Sequence, residues 1–216
     1  MGGFFRRGLP VAAAASLVAV LAGCAGDAGA SLADAARDPI AETSGGTGLP
    51  AGVVPPSGDP QPGDARLGDD GYYDYAADDF VLQNPCDGLP FELAQEQGFR
   101  IGDNASPRDD DEYSTACRMQ NADSGDGLVL LSHSSGQPGL ESLGHEVEIR
   151  ESHGRSWYTA VLPGLISNIC FAGVDTAKGA VGTGIGVGGF SPHATEQAAC
   201  DAASEMFNRI YGGNSE

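Results

Sequence analysis

Hydrophobic and polar residues alternate in short segments along the second half of the chain. From His145 to Glu151, Val147 and Ile149 fall on one side and charged residues on the other, which predicts a half-buried β-strand. Residues 156–162 follow the turn-forming "HGR", so the two segments are predicted to pair as a hairpin. Further strands are predicted at Leu128–Ser134, Ile169–Val174 and Val181–Phe190.

Two other segments carry the signals of helix ends. Pro90–Gln97 has a proline in its first turn and Gly98 past its end, which predicts a short helix. Ser191 and the proline after it resemble the start of a helix that runs to Tyr211 and stops at Gly212. Five residues of this last helix form an apolar stripe at helical spacing: Ala199, Ala203, Met206, Phe207 and Ile210. Strands in sequence between two helices predict the α+β class, an antiparallel β-sheet packed by an N-terminal short helix and a C-terminal amphipathic helix.

The N-terminus has the features of an export signal. The apolar run from Leu9 to Ala22 is shorter than the roughly 20 residues of a membrane-spanning helix, and Arg6 and Arg7 precede it. It ends in "LAGC", the pattern of a bacterial lipoprotein signal, in which Cys24 would receive a lipid. Residues 1–23 are therefore predicted to be a signal peptide, and the protein a lipid-anchored one on the extracytoplasmic face of the cell membrane. The alternative is a plain secretory signal followed by a chance cysteine.

Composition divides the rest of the chain into two parts. Residues 24–78 are rich in Gly, Pro and Asp and show no apolar periodicity, which predicts a flexible tether. Residues 79–216 are then a single globular domain, large enough for one modest core.

The charge balance is strongly acidic. The formal charge of the 216 residues is −19, and loss of Arg6 and Arg7 with the signal would make it −21. Such a chain is not expected to bind nucleic acid, which requires clustered Lys and Arg. It is also repelled by anionic lipid, so the acyl anchor on Cys24 would have to hold it at the membrane.

Four cysteines remain beyond Cys24, an even number that fits disulfide pairing outside the cell. Four cysteines allow three connectivities, of which we favour Cys86–Cys117 with Cys170–Cys200, because each bond would close a loop of roughly 30 residues. The alternative is a metal or redox site. The chain has no C-x-x-C pair and no histidine at ligand spacing from a cysteine, so no metal and no cofactor are predicted.

Four residues are candidate ligand contacts. In "GAVGTGIGVGGF" the glycines alternate with larger residues, which predicts a strand with a bare face that includes Gly184 and Gly186. A helix is expected to pack on this face, and a ligand is the alternative; a dinucleotide loop would need a helix to open at these glycines. Trp157 and Tyr158 are adjacent on a predicted strand and point to opposite faces, so one should be buried and the other exposed for contact.

Other clusters have weaker interpretations. Ser132, His133 and Ser134 suggest a serine hydrolase, but sequence adjacency does not build a triad and no G-x-S-x-G elbow occurs. His145, His153 and His193 would bind zinc only if the fold gathered them. The acidic stretches at residues 109–112 and 121–127 offer oxygen ligands but read as solvated turns.

The order of these features resembles a known family. "NPC" precedes a short helix ending in "QGF", then come a second cysteine, strands, "ICF", and a C-terminal helix carrying the last cysteine. This pattern, over about residues 84–211, is similar to the four-cysteine cell-envelope lipoproteins of actinobacteria, a domain of unknown function without established catalytic residues. The resemblance implies a lipid-anchored, disulfide-bonded envelope protein that is not an enzyme.

Three functions follow as hypotheses. The first is a binding or accessory module for a lipid, a small molecule or an envelope protein. The alternatives are an extracytoplasmic serine hydrolase and a purely structural tethering protein.

Overall fold

A computed structural model describes residues 49–102, 113–163, 168–188 and 191–212, together with the backbone of residues 109–110. The predicted signal peptide, Cys24 and the first part of the predicted tether lie outside the described residues.

Among the described residues antiparallel strands dominate, and together with three helices they confirm the α+β class. The strands of the described residues are β1 (Arg66–Leu67), β2 (Tyr73–Asp74), β3 (Phe99–Arg100), β4 (Asp109–Asp110), β5 (Ser114–Asn121), β6 (Gly127–His133), β7 (Val147–Ser152), β8 (Arg155–Leu162), β9 (Ile169–Thr176) and β10 (Gly179–Gly186). The helices are α1 (Leu89–Glu96), α2 (Gly136–Ser142) and α3 (Glu196–Tyr211). The main sheet has the order β3-β5-β6-β10-β9-β8-β7, with β4 also paired to β5, while β1 and β2 form a separate hairpin.

The hairpin predicted around "HGR" is confirmed. Strands β7 and β8 pair in register from Val147 opposite Ala160 to Ser152 opposite Arg155. His153 and Gly154 between them both have positive φ, which is the backbone that a two-residue hairpin turn requires.

Helix α3 lies against β8, β9 and β10 on one face of the sheet. Ala199 and Ala203 are fully buried there, and their small side chains let the helix come close enough for the Thr183 hydroxyl to donate to the Ala203 carbonyl at 2.8 Å. The helix begins at Glu196, where the Thr195 side chain accepts a hydrogen bond from the Ala198 amide at 3.2 Å. The predicted start at Ser191 is therefore wrong, because Thr195 is the residue that caps the helix.

The opposite face of the sheet carries a second core around Phe171, Tyr158 and Leu140 of α2. The bare glycine face of β10 lies on this side. A Cβ at Gly182 would overlap the Ala172 carbonyl and come within 2.8 Å of the Phe171 ring. An aromatic ring, and not the predicted helix, therefore covers the glycines in the middle of β10.

Residues 49–78 pack on the domain, so the tether predicted for residues 24–78 does not describe them. Val53 bridges to Asp175 in β9, and Tyr73 is buried with Ala65 and Ala177. The Asp175 amide donates to the Gly52 carbonyl at 2.7 Å, and its carbonyl accepts from the Val54 amide at 2.8 Å. The described part of the folded unit thus extends well before Asp79.

Candidate functional site

Two central strands of the sheet separate near one end. Strands β6 and β10 pair as far as Gly184 opposite Val129. Both strands continue for two more residues, to Gly127 and Gly186, which would be the next hydrogen-bonded pair but are not paired. We call this opening the strand fork, formed by Gly127 and Leu128 on one side and Ile185 and Gly186 on the other.

The loop after β10 holds the fork open. The Ser191 hydroxyl donates to the Gly186 carbonyl at 2.6 Å, so this acceptor is satisfied from the loop and not from β6. Gly188, with a φ of 63°, donates its amide to the His193 carbonyl at 2.7 Å, which turns the chain back toward α3. A glycine suits this left-handed position because it has no Cβ to clash.

The fork opens into a cavity of about 860 Å³ between the β5–β6 hairpin, α3 and the loop before it. Its inner lining is mostly apolar, with side chains from five strands and the helix α3: Phe99, Met119, Leu128, Val129, Ile169, Ile185, Ala202 and Met206. Small-molecule sites in proteins typically have volumes of about 300–1,000 Å³ and linings of this kind. The cavity therefore has the size and chemistry of a ligand site.

Polar and charged groups lie around the apolar lining. Arg118 and Gln120 come from β5, His193 from the loop, and Glu205 and Arg209 from α3. Arg209 and Glu205 form an ion pair one helical turn apart, and both are largely exposed. Asp126 also lines the cavity and accepts from the Ser124 hydroxyl at 2.7 Å. These contacts leave the cavity with charges of both signs along its margin.

Of the four predicted ligand contacts, Gly186 lines the cavity and the other three do not. Trp157 is 5% exposed, and its indole N–H donates to Ser204 of α3 at 3.1 Å. Tyr158 is fully buried on the opposite face, so neither aromatic is the exposed contact residue that was expected. At Gly184 the space is occupied by Ile169 and Val129.

Tyr158 belongs to a buried polar cluster around Asp175. The Tyr158 hydroxyl donates to Asp175 Oδ1 at 2.7 Å, and the Gln137 amide donates to Oδ2 at 2.9 Å. Burial raises the pKa of the Asp175 carboxyl and raises that of Tyr158 well above its ordinary value. Because Asp175 also bonds residues 52–54 through its backbone, this cluster ties α2, β8 and the N-terminal segment to β9.

The residues behind the hydrolase hypothesis are not brought together. Ser132 and His133 are adjacent on β6 and therefore point to opposite faces, and neither side chain has a hydrogen-bond partner among the residues that the structure describes. The Ser134 hydroxyl donates to the Tyr113 carbonyl at 3.3 Å.

The predicted oxygen-ligand stretches give no metal site in the described residues. In residues 121–127 the Asn121 side chain accepts from the amides of Asp123 and Ser124, which is a self-contained turn. Within the part of the chain that the structure describes, no group of three or more His, Cys, Asp or Glu could hold a metal ion. The side chains of residues 109–112 lie outside that part.

The four cysteines within the described residues form two pairs, and the two members of each pair lie next to each other. Cys170 of β9 and Cys200 of α3 form a disulfide with their Cα atoms 5.1 Å apart. Cys86 and Cys117 are thiols in the structure, and the side chain of Cys86 is a hydrogen-bonding neighbour of Cys117. Burial, followed by this neighbour, raises the pKa of the Cys117 thiol, so Cys117 is a poor thiolate in this state.

The chain has no match among family models, curated proteins or solved structures. The resemblance to four-cysteine lipoproteins therefore stays a prediction. Among the described residues, no helix is both long and apolar enough to cross a membrane.

Most of the cavity could not be found from the sequence. Arg118, Met119 and Gln120 lie on β5, which the hydrophobic pattern did not predict, and Gly127 belongs to a stretch that reads as a turn. Met206 was assigned to the apolar stripe of the last helix, and it is half-buried where that stripe meets the cavity. Only the bare glycine face of β10 gave a signal, through Gly186.

Proposed function

We propose that this protein is a non-catalytic binding module that holds an apolar or amphipathic small molecule in the cavity at the strand fork. The observation that carries the proposal is the cavity of about 860 Å³, with its apolar lining and polar margin. A lipid or another molecule with an apolar body would bury that surface from water, which is the main driving force for such binding.

The position on the cell is part of the same proposal. The N-terminal signal and the lipid acceptor Cys24 would place the domain at the extracytoplasmic face of the membrane. A module anchored there meets membrane lipids and small molecules of the cell envelope. Membership of the actinobacterial lipoprotein family would fit this location.

The test is binding of a neutral apolar dye, N-phenyl-1-naphthylamine, to the mature chain. Residues 24–216 are exported behind a cleavable signal, with Cys24→Ser to prevent acylation. Fluorescence should rise on binding in the wild-type cavity. Ala202→Phe, which fills the cavity from α3, should weaken dye binding by about tenfold or more, because it removes the buried volume.

A matched variant controls for the added aromatic ring. Ala198 lies on the exposed side of α3, so Ala198→Phe should leave dye binding unchanged. If the wild type does not bind the dye, or Ala202→Phe binds it as well as Ala198→Phe does, the cavity is not the binding site. In that case a structural tethering role would explain the domain better.

A second disulfide, Cys86–Cys117, is part of this proposal. Support comes from the contact between the two side chains and from the oxidising compartment into which the signal would export the protein. The intact mass of the exported, non-reduced chain should be lower by two hydrogens for each bond, and alkylation should modify no cysteine. Alkylation of Cys86 or Cys117 would contradict the second bond.

A further inference from the structure

We infer that the cavity selects an amphipathic ligand with an acidic head group, of which a long-chain carboxylate is the simplest example, with the head at the strand fork. This inference rests on the proposed binding function and adds the class of ligand to it. It follows from the backbone groups that face the fork, from the side chain beside it and from the placement of positive charge.

The direction of the backbone groups follows from the register of the sheet. The Asn121 amide donates to the Asp126 carbonyl at 2.8 Å. In this register, the backbone N–H and C=O groups of even-numbered residues in β6 point toward β5, and those of odd-numbered residues point toward β10. The Val187 amide donates to the Asn168 carbonyl at 2.8 Å. The backbone groups of odd-numbered residues in β10 therefore point toward β9, and those of even-numbered residues point toward β6. The polar backbone groups of Gly127 and Gly186 therefore point into the fork.

Backbone hydrogen-bond donors outnumber backbone acceptors at the strand fork. The Gly186 carbonyl already accepts from Ser191, so Gly186 presents its N–H to the fork, while Gly127 presents an N–H and a carbonyl. Arg118 lies on β5 opposite Val129, on the face of the sheet that Gly127 and Gly184 share; this is the face away from α3, and Arg118 lines the cavity from that side of the fork. Its guanidinium carries donors and no acceptor. A carboxylate only accepts hydrogen bonds, so it matches this set better than an alcohol or an ammonium group.

The charge distribution favours the same ligand. The described part of the chain contains seven Lys and Arg side chains, and two of them, Arg118 and Arg209, line this cavity. They balance Asp126 and Glu205, in a chain whose formal charge is −19. The cavity margin is thus locally neutral where the rest of the molecule repels anions, and Glu205 is already paired with Arg209.

The space around Gly127 gives room for the head group. A Cβ at Gly127 would meet no atom within 4 Å. The apolar residues Leu128, Ile185 and Met206 line the same cavity, and the tail of an amphipath would lie against them. A polar head at the open fork and an apolar tail against α3 and the sheet satisfy both parts of the lining.

The experiment compares three ligands with the same tail. Decanoate, 1-decanol and decylamine each displace N-phenyl-1-naphthylamine from the mature wild-type chain at neutral pH and low salt. We expect decanoate to displace the dye at a concentration roughly tenfold lower than decanol, because its head makes charge-assisted hydrogen bonds. Decylamine should be the weakest of the three.

Two variants separate the head group from the cavity. Arg118→Gln should abolish the preference for decanoate and leave dye and decanol binding within about twofold of wild type. Arg66→Gln removes the same charge from an exposed site that does not line the cavity, and it should keep the preference.

The outcomes distinguish this inference from the proposed function. Dye binding with equal displacement by decanoate and decanol, or a decanoate preference that survives Arg118→Gln, would overturn the acidic ligand and leave the binding function standing. No dye binding and no displacement would overturn both.

Discussion

The side chain of His133 has an unusual environment for an ionisable group. It is 4% exposed and packs edge-on against Phe171 with ring centroids 5.0 Å apart. Within the described part of the chain, neither ring nitrogen has a hydrogen-bond partner. Burial lowers its pKa from 6.5 to about 4. The folded protein therefore contains the neutral imidazole, and protonation favours the unfolded chain.

Acid should destabilise the protein through this residue. Because the pKa of His133 is lowered on folding, the contribution of the neutral imidazole to the free energy of unfolding is fully present above pH 6.5. This contribution is lost as pH falls from 6.5 toward 4, by about 3 kcal/mol in total. His133→Leu should remove this part of the pH dependence, as measured by urea unfolding between pH 8 and 4. At pH 8 it should cost little, since no hydrogen bond is lost.

Two residues serve as references in that measurement. His145 lies before β7 and is not fully buried, and His145→Gln is the matched control for loss of a histidine outside the core. Asp175 acts in the opposite direction: its pKa is raised on folding by burial, so its protonation favours the folded state. Equal pH profiles for wild type and His133→Leu would show that His133 does not titrate with unfolding.

At the scale of the element, the strand β10 packs differently on its two faces. Val181, Thr183 and Ile185 point toward α3, while the glycines between them face the other way. The ring of Phe171 fills the space above Gly173 and Gly182, and farther along the strand the glycines reach the open fork. The alternation was visible in the sequence, but which group would cover each glycine was not.

Two glycine substitutions should therefore have opposite consequences. Gly182→Ala should destabilise the protein by about 1–3 kcal/mol, because the new methyl group overlaps the Ala172 carbonyl and the Phe171 ring. Gly127→Ala meets no atom and should be neutral or stabilising by up to about 1 kcal/mol, through lower entropy of the unfolded chain. Thermal and urea unfolding of the pair measure this difference, and similar stabilities would contradict the packing described here.

Helix α3 both packs on the sheet and lines the cavity. Its buried side holds the sheet through Ala199, Ala203, Phe207 and the Cys170–Cys200 disulfide. Its next residues around the helix, Ala202 and Met206, line the cavity instead. The position of the helix on the sheet therefore sets the width of the cavity.

At the scale of the whole molecule, the segment before Asp79 is part of the folded unit. The Tyr73 hydroxyl donates to the Val54 carbonyl at 2.5 Å, and the Tyr75 hydroxyl donates to Thr176 at 2.9 Å. These contacts, with the Val53 bridge to Asp175, cover the end of β9 and β10 away from the cavity.

Removal of this segment should destabilise the domain. A chain of residues 79–216 should be less stable than residues 49–216 by about 3–5 kcal/mol, because it loses several hydrogen bonds and the burial of two tyrosines. Urea unfolding of the two chains is the measurement. If their unfolding free energies agree within error, residues 49–78 belong to the tether as the composition suggested.

The sequence by itself determined the α+β class and the β7–β8 hairpin. These features are local: alternation marks a half-buried strand, and "HGR" supplies a turn. Composition failed at residues 49–78, because a few buried contacts such as Tyr73 can hold a Gly- and Pro-rich segment that has no periodic pattern. The strand β5 was missed since its buried residues occur on both faces, as in a central strand.

Only the tertiary structure decided where a ligand could bind. The fork exists because β6 and β10, which are far apart in the sequence, stop pairing one hydrogen-bonded pair before their ends. Ser191 donates to the Gly186 carbonyl, the acceptor that β6 would otherwise have used, and α3 lines the cavity at the opening. A cavity is the space left between elements after they pack, so no local pattern of residues specifies it. Its lining comes from seven segments of the chain that only the fold brings together.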